Sequence, residues 1–297
     1  MEQAVYDVPG PELAGALQAD VRMLAEKIGE RNMRRPSNLE QAAAFIQSSF
    51  QTAGLRVSRH TYDADGRACH NIEAEIAGSE WRDEIVIAGA HYDSIHGGVG
   101  ANDNASGVAA LIALARALAH QPFRRTFRFV AFVNEEPPYL RTPNMGSLAY
   151  AERCRSRGEN VSCMVSLETL GYYRLYDREP APLARRALHW WRGSFVAFVG
   201  DLRSRHLIHR AVSFFKEETG FPVKAITLPR FLPGVASSDH WSFWQYGYPA
   251  FMITDTAGLR SPFYHTPHDT PDKLTYDGLA QVVIGLRQMF LDLANIR

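Results

Sequence analysis

The sequence has little cysteine. Its 297 residues include three cysteines, which are Cys69, Cys154 and Cys163. Three cysteines in a chain of this length do not make a disulfide framework. No two of them have Cys-x-x-Cys spacing, which argues against a metal site built from cysteine. The fold is therefore expected to depend on a hydrophobic core.

The sequence also lacks net charge and long apolar runs. Lysine plus arginine and aspartate plus glutamate both number 32. Nucleic-acid and membrane-surface binders normally carry a basic stripe, so neither partner is expected. No apolar run approaches the ~20 residues of a membrane span, and the N-terminus has no signal-peptide pattern. The expected location is cytoplasmic if this is the full precursor, and periplasmic or secreted otherwise.

Hydrophobic residues make up 46% of the chain, which is enough for a packed core. Their periodicity predicts helices at 11–31, 38–53, 105–119, 146–153, 209–218 and 277–296. It predicts strands at 56–62, 72–76, 84–88, 126–133, 162–167, 195–199, 223–227 and 249–254. This alternation predicts an α/β fold with three layers, α/β/α, around a central, mostly parallel mixed sheet. We expect one domain over residues 1–297, with N-terminal helices (1–55) packing on the sheet.

Residues that bind metals follow the predicted strands closely. His91, the adjacent pair Glu135 and Glu136, and Glu168 each fall one to three residues after a hydrophobic strand. The carboxyl ends of strands are where sites assemble in open α/β sheets. An unpaired buried carboxylate there costs several kcal/mol, and a bound cation removes that cost. Imidazole and carboxylate are zinc ligands, and a carboxylate left off the metal can act as a base toward water.

Other candidates are less specific on their own. Asp103, in Gly-Ala-Asn-Asp-Asn, is also typical of a helix cap. Asp93 lies two residues after His91 and can accept a hydrogen bond from the imidazole, which fixes the tautomer of a ligand. His265 lies in a proline-rich loop, where a surface histidine is equally expected. Together with the acids at the strand ends, these residues favour a metallohydrolase.

Five segments together resemble the M28 zinc aminopeptidase family: HYDS…GANDNASG, NEEPP…MGS, SLETLGYY, SSDHWSFW…GYP and YHTPHDTPDKL. They run in the family's order from about residue 70 to the C-terminus and are specific as a set. The resemblance implies a zinc-exopeptidase fold of the phosphorylase/hydrolase-like type. It also implies a peptide substrate with a free N-terminus and two zinc ions, with a single ion as the alternative.

The resemblance implies a role for each metal-site residue. Asp103 bridges the two metals. His91 and Glu168 complete the ligands of one metal, and Glu136 and His265 complete those of the other.

It further implies that Glu135 is the general base and that Asp93, Asp239 and Asp269 are supporting acids. Asp239 is also a candidate for orienting the free amine of the substrate. In the family the peptide bond after the bridging aspartate is often cis, which here is Asp103–Asn104.

The chain departs from the family pattern at two positions. The position of Glu168 is frequently aspartate, so the ligand here is one methylene longer. Val235 stands where secreted aminopeptidases have a tyrosine that stabilises the oxyanion. That donor is therefore unassigned, with Tyr172, Tyr173, Tyr264 or a metal as candidates, and Tyr264 and Tyr172 are the expected substrate-binding residues.

Segment 172–235 is predicted to form part of an apolar specificity pocket. It carries Trp190, Trp191, Phe195, Phe231 and Leu232. Aromatic residues in such a segment are also typical of a core.

Three other functions compete with the aminopeptidase. A single-zinc glutaminyl-peptide cyclotransferase of related fold carries a tryptophan close before the late histidine ligand, where this chain has Tyr264. A zinc carboxypeptidase or deacylase carries an inserted dimerisation domain, for which the separation of 97 positions from Glu168 to His265 leaves no room. A binding module of the receptor-ectodomain kind tolerates loss of ligands, whereas all ligand candidates are present here.

Overall fold

A mixed sheet of eight strands runs through the described part of the chain, residues 10–173 and 194–295 of a computed structural model. The strands are β1 (Arg56–Ala64), β2 (Arg67–Ile76), β3 (Trp81–His91), β4 (Arg125–Phe132), β5 (Asn160–Glu168), β6 (Val196–Gly200), β7 (Val223–Thr227) and β8 (Ala250–Thr254). Their order is β1-β2-β4-β3-β5-β8-β6-β7. Pairs β3–β4, β3–β5, β5–β8 and β6–β7 are parallel, and β1–β2, β2–β4 and β6–β8 are antiparallel.

Helices cover both faces of this sheet. The α-helices of the described residues are α1 (Gly10–Arg22), α2 (Pro36–Thr52), α3 (Gly107–Leu118), α4 (Gly146–Ser156), α5 (Arg205–Glu218), α6 (His240–Gln245) and α7 (Tyr276–Asn295). Helices α1, α2, α3, α5 and α7 bury their apolar side chains in one core cluster, and α4 and α6 do so in a second cluster. Three layers result, and the predicted α/β fold class is confirmed.

Short helical turns complete the chain. Met23–Ile28 continues α1 as a π-helical turn, and Ala101–Ser106 forms a similar turn directly before α3. Single 3₁₀ turns lie at Ala257–Leu259 and Pro271–Lys273. None of the helices in residues 10–173 and 194–295 combines the length and apolar character that crossing a membrane requires.

Two central strands reach further than their apolar pattern indicates. The predicted last residues were 88 and 167, whereas β3 ends at His91 and β5 ends at Glu168. His91 pairs with Phe132 of β4, and Glu168 pairs with Thr254 of β8. The apolar pattern ends before these polar side chains, but the backbone pairing between the strands continues to include them. The sheet itself therefore fixes the positions of both side chains.

The start of α3 differs from the predicted helix cap at Asn102-Asp103-Asn104. These residues lie in the turn before the helix, where Asp103 (φ −112°, ψ 90°) and Asn104 (φ −133°, ψ 40°) are not helical. The Asp103–Asn104 peptide bond is cis, as the family resemblance implies. Gly100 opens the turn with φ 53°, and a Cβ there would overlap the carbonyl oxygen of Asp103. The turn therefore requires glycine at position 100.

Candidate metal centre

The five predicted metal ligands lie together at the carboxyl end of the central strands. His91 ends β3, and Glu168 ends its parallel neighbour β5. Glu136 lies in the loop after β4, Asp103 lies in the turn before α3, and His265 lies in the loop after β8. The fold therefore brings residues that are up to 174 positions apart in the sequence into one region.

The ligand atoms form two groups that share Asp103. His91, Asp103 and Glu168 form one group, and Asp103, Glu136 and His265 form the other. His91 Nε2 lies 3.3 Å from Asp103 Oδ1 and 3.3 Å from Glu168 Oε2. His265 Nε2 lies 3.1 Å from Asp103 Oδ2 and 3.2 Å from Glu136 Oε2. Each carboxylate oxygen of Asp103 therefore faces a different histidine.

These distances fit zinc. Tetrahedral zinc, roughly 2.0–2.2 Å from its nitrogen and oxygen ligands, requires those atoms to lie roughly 3.3–3.6 Å apart. The four histidine–carboxylate spacings agree with this to a few tenths of an ångström. Both ring nitrogens of His91, Asp103 Oδ2 and Glu136 Oε1 are buried without a hydrogen-bond partner. Burial raises the pKa of Glu136 to about 8, and a bound divalent cation removes this cost of charge burial.

Glu135 lies beside the two groups without belonging to either. Its Oε2 atom is 3.8 Å from His91 Nε2. The side chain is buried, and burial raises the pKa of Glu135 well above its usual value, while the charge of His91 offsets part of the rise. Glu135 is thus a free carboxylate next to the candidate metals.

Asp93 fixes three residues of the centre at once. Its Oδ1 lies 3.5 Å from His91 Nδ1 and accepts a hydrogen bond from the backbone N–H of Glu135 at 3.1 Å. Its Oδ2 accepts a hydrogen bond from the backbone N–H of Glu136, also at 3.1 Å. This contact to the backbone of the glutamate pair is a role that the sequence did not indicate.

Asp269 holds the turn that presents Asp103. Its two carboxylate oxygens accept hydrogen bonds from the backbone N–H groups of Asn102 and Asp103, each at 2.9 Å. Burial raises the pKa of Asp269 to about 6, and these two hydrogen bonds oppose the rise. Asp269 therefore contacts the backbone of Asp103, which the two groups share, rather than a candidate metal ligand atom.

Asp239 lies buried in the structure. Its side chain has no exposed surface, and neither carboxylate oxygen has a hydrogen-bond partner. Burial raises its pKa to about 7. The idea that Asp239 orients the amine of a substrate stays a prediction. Its neighbour Ser238, which sequence reasoning missed, donates a hydrogen bond to Glu168 Oε2 at 2.7 Å.

Arg31 is a second residue that sequence reasoning missed. It has no exposed surface, and its guanidinium donates to the carbonyl oxygens of Tyr92 and Gly100 at 2.9 and 3.1 Å, and to those of Leu24, Gly29 and Val99. Tyr92 follows His91, and Gly100 opens the turn that contains Asp103. Arg31 thus ties the N-terminal region to two ligand-bearing segments. No local pattern reveals it, because its partners lie up to 69 positions away.

Replacing Arg31 with methionine is expected to lower the free energy of unfolding by about 3 kcal/mol, because several buried carbonyl groups lose their donor. Urea denaturation of the metal-free protein measures this. Arg35→Met is the matched control, because Arg35 is exposed and pairs only at the surface with Glu30; it should change stability by less than about 0.5 kcal/mol. Equal stability of the two variants would contradict the structural role of Arg31.

An apolar cavity of about 360 Å³ adjoins the metal centre at Glu168, and we name it the Glu168 cavity. Its walls include Val199, Ile226, Leu228, Val235, Met252 and Tyr264. The ring of Tyr264 stacks on that of His265, with centroids 3.9 Å apart. Part of segment 172–235 therefore does line a pocket.

The other residues predicted for this pocket lie elsewhere. Phe195, Phe231 and Leu232 are outside the cavity walls, and Phe231 is 84% exposed. Trp190 and Trp191 lie outside the described residues.

The three tyrosines named as candidate oxyanion donors lie in different surroundings. Tyr173 packs in the core against Phe221, with centroids 4.8 Å apart. Tyr172 lies outside the walls of the Glu168 cavity, where its backbone N–H donates to Asp255 at 2.8 Å. Of the three tyrosines considered as oxyanion donors, Tyr264 is the one that lines the cavity. The substrate contact predicted for Tyr172 stays a prediction.

Comparison with known proteins identifies the family. The model of peptidase family M28 matches residues 71–289. The chain is 35% identical over 285 residues to YfbL of Escherichia coli, an uncharacterized protein, covering 91% of this chain and 85% of YfbL. It is 26% identical to a probable leucine aminopeptidase 1 of Trichophyton verrucosum, over 92% of this chain and 76% of that protein.

Solved structures share the fold. A zinc aminopeptidase from Bacillus subtilis superimposes with a TM-score of 0.75 at 16% identity, over 96% of this chain and 95% of that one. A glutaminyl cyclase from Bacteroides thetaiotaomicron superimposes with a TM-score of 0.70 at 16% identity, over 99% of both chains. At 16% identity these structural matches show only that the fold is shared. The assignment to a family rests on the family model and on the 35% identity to YfbL. The resemblance noted in the sequence is confirmed: the chain belongs to peptidase family M28.

Proposed function

We propose that this chain is an aminopeptidase that uses two zinc ions to release the N-terminal residue of a peptide. Membership of family M28 makes it a zinc-dependent peptidase with a peptide as substrate. The number of metal ions, the requirement for a free N-terminus and the roles of the individual residues are the proposed parts.

The observation that carries the proposal is the sharing of Asp103 between two ligand groups. One carboxylate has two oxygens, and here each of them faces a separate histidine, which in turn lies beside a separate glutamate. A site for one metal needs only one such group. The second group therefore favours two ions held side by side.

Each residue then has a defined task. The two groups of residues would hold zinc, which when bound would supply polarisation of the peptide carbonyl and a water molecule with a pKa lowered toward ~7. Glu135, outside both groups, accepts a proton from water at its carboxylate and returns it to the leaving amine. Asp93 and Asp269 hold the backbone of Glu135 and Asp103 in place through the hydrogen bonds described above. Tyr264 lines the wall next to the reacting carbonyl as the candidate oxyanion donor.

The Glu168 cavity sets the preferred N-terminal residue. Its walls are mostly aliphatic, and no lysine or arginine in the described part of the chain lines it. Burying a leucine or phenylalanine side chain there is worth about 1.5–3 kcal/mol. Glu168 at the inner end attracts the positive charge of a free amine. We therefore infer a preference for apolar N-terminal residues with an unblocked amine.

A panel of aminoacyl p-nitroanilides tests the function. With zinc-reconstituted protein, the leucyl and phenylalanyl anilides should be cleaved at least about tenfold more efficiently than the lysyl and glutamyl anilides. Acetyl-leucyl p-nitroanilide is the matched control and should not be cleaved. Cleavage of the acetylated substrate at a similar rate would refute an aminopeptidase, and an absence of cleavage across the panel would refute the function as a whole.

The glutaminyl cyclase is the second candidate, because its fold is shared. A single zinc ion would occupy only one of the two ligand groups, and the other group would have no metal to bind. Tyr264 also stands where such cyclases are expected to carry tryptophan. Both features favour the aminopeptidase, and incubation with an N-terminal glutaminyl peptide should yield free glutamine rather than pyroglutamyl peptide.

A further inference from the structure

A second, smaller cavity adjoins the metal centre at Glu136. Its volume is about 100 Å³, and we name it the Glu136 cavity. Asp93, Glu136 and Pro137 line it from the side of the metal centre, and Met33, Arg34 and His96 line it from the other side. Glu168 and Glu136 belong to different ligand groups, so the two cavities adjoin the candidate metal pair at different ends. Substrate bound across the pair can therefore extend from one cavity toward the other.

The wall that carries Arg34 is not part of the matched family domain. The family model begins at residue 71, whereas residues 32–34 belong to the N-terminal region. The loop that carries His96 adjoins the loop of His265, because a Cβ at Gly98 would lie 3.5 Å from the carbonyl oxygen of Thr266. His265 is the partly exposed ligand, with 33% of its side chain accessible. The Glu136 cavity therefore lies beside the exposed part of the centre.

Arg34 is held in place without a carboxylate partner. One guanidinium nitrogen lies 2.6 Å from His96 Nε2, and His96 Nδ1 lies 3.0 Å from Glu30 Oε1. Glu30 also accepts a hydrogen bond from the backbone N–H of Gly97 at 2.9 Å and pairs with Arg35. No carboxylate within residues 10–173 and 194–295 comes within ion-pair distance of Arg34. An exposed, oriented guanidinium with free donors is suited to bind a carboxylate in a two-point contact.

We propose that Arg34, held by His96, binds the C-terminal carboxylate of a short peptide whose N-terminal side chain lies in the Glu168 cavity. The inference rests on the proposed function, because it requires cleavage between the two cavities. It assigns di- and tripeptides with a free C-terminus as the preferred substrate class. The small volume of the Glu136 cavity suits a carboxylate and a short side chain, whereas a longer peptide would carry its carboxylate beyond Arg34.

The test compares leucyl-alanine with leucyl-alaninamide, which differ only in the C-terminal charge. For the wild-type protein, kcat/KM for the acid should exceed that for the amide by about tenfold, mainly through a lower KM. In Arg34→Gln this ratio should fall to about one, and in Arg34→Lys, which keeps the charge but not the planar fork, it should fall partway. Arg35→Gln removes an adjacent exposed charge that pairs with Glu30, and it should keep the wild-type ratio.

The outcomes separate this inference from the proposed function. If wild-type protein cleaves leucyl p-nitroanilide but treats the acid and the amide alike, the role of Arg34 is refuted and the aminopeptidase stands. The same holds if Arg34→Gln leaves the ratio unchanged. If none of the three substrates is cleaved, the proposed function fails and the inference fails with it.

Discussion

Glu135→Gln is expected to lower kcat by about 10²–10⁴-fold while zinc stays bound. Glutamine has the size of glutamate but does not accept and return a proton. Glu135 belongs to neither ligand group, and its Oε2 atom lies 3.8 Å from His91 Nε2, further than the four ligand contacts. Turnover of leucyl p-nitroanilide measures the loss of kcat, and the zinc content after desalting shows whether zinc stays bound.

The adjacent residue supplies the control. Glu136→Gln changes the same chemical group one position along the chain, but it weakens a carboxylate that lies 3.2 Å from His265 Nε2. That variant should lose zinc as well as activity. Near-normal turnover in Glu135→Gln would remove Glu135 as the base, and loss of zinc from it would make Glu135 a ligand.

The sequence predicted the ligand positions because the apolar strands themselves mark them. A buried strand that ends in a histidine or glutamate is unusual without a cation, so His91, the pair Glu135 and Glu136, and Glu168 could be chosen before their geometry was known. The choice of Glu136 over Glu135 as the ligand came from the family resemblance. Asp103 and His265 had no such strand before them. Their choice depended on the order of motifs in the family, because a helix cap was the better local explanation of Asp103 and a surface loop was an equally good one for His265.

Most of the residues that hold the metal centre together could not be predicted from the sequence. In the sequence Arg31 looks like an ordinary surface arginine at the end of the predicted helix 11–31, yet it is completely buried. Asp269 bonds to backbone groups up to 167 positions away. Such contacts arise only when the turn before α3, the N-terminal region and the loop after β8 pack together, and no periodicity encodes them. The complete burial of Asp239 has the same origin, since it follows from packing around α6.

Asp103→Ala is expected to remove both zinc ions, whereas His265→Ala should remove only one. Asp103 is the one residue that the two ligand groups share, with Oδ1 3.3 Å from His91 Nε2 and Oδ2 3.1 Å from His265 Nε2. Loss of this carboxylate leaves two donors in each group, which is too few for tight zinc binding. His265→Ala leaves the group of His91, Asp103 and Glu168 intact.

Zinc per chain, measured by atomic absorption after equilibration with buffered zinc, should be two in the wild type, one in His265→Ala and close to zero in Asp103→Ala. Far-ultraviolet circular dichroism checks that each variant is folded. Thr142→Ala, which loses a hydroxyl in the loop between β4 and α4 and belongs to neither group, should keep both ions. One ion in the wild type that is retained by His265→Ala would favour a single-metal centre at His91 and Glu168. Asp103 would then be a ligand of one metal only, and the second group would have to serve the substrate instead.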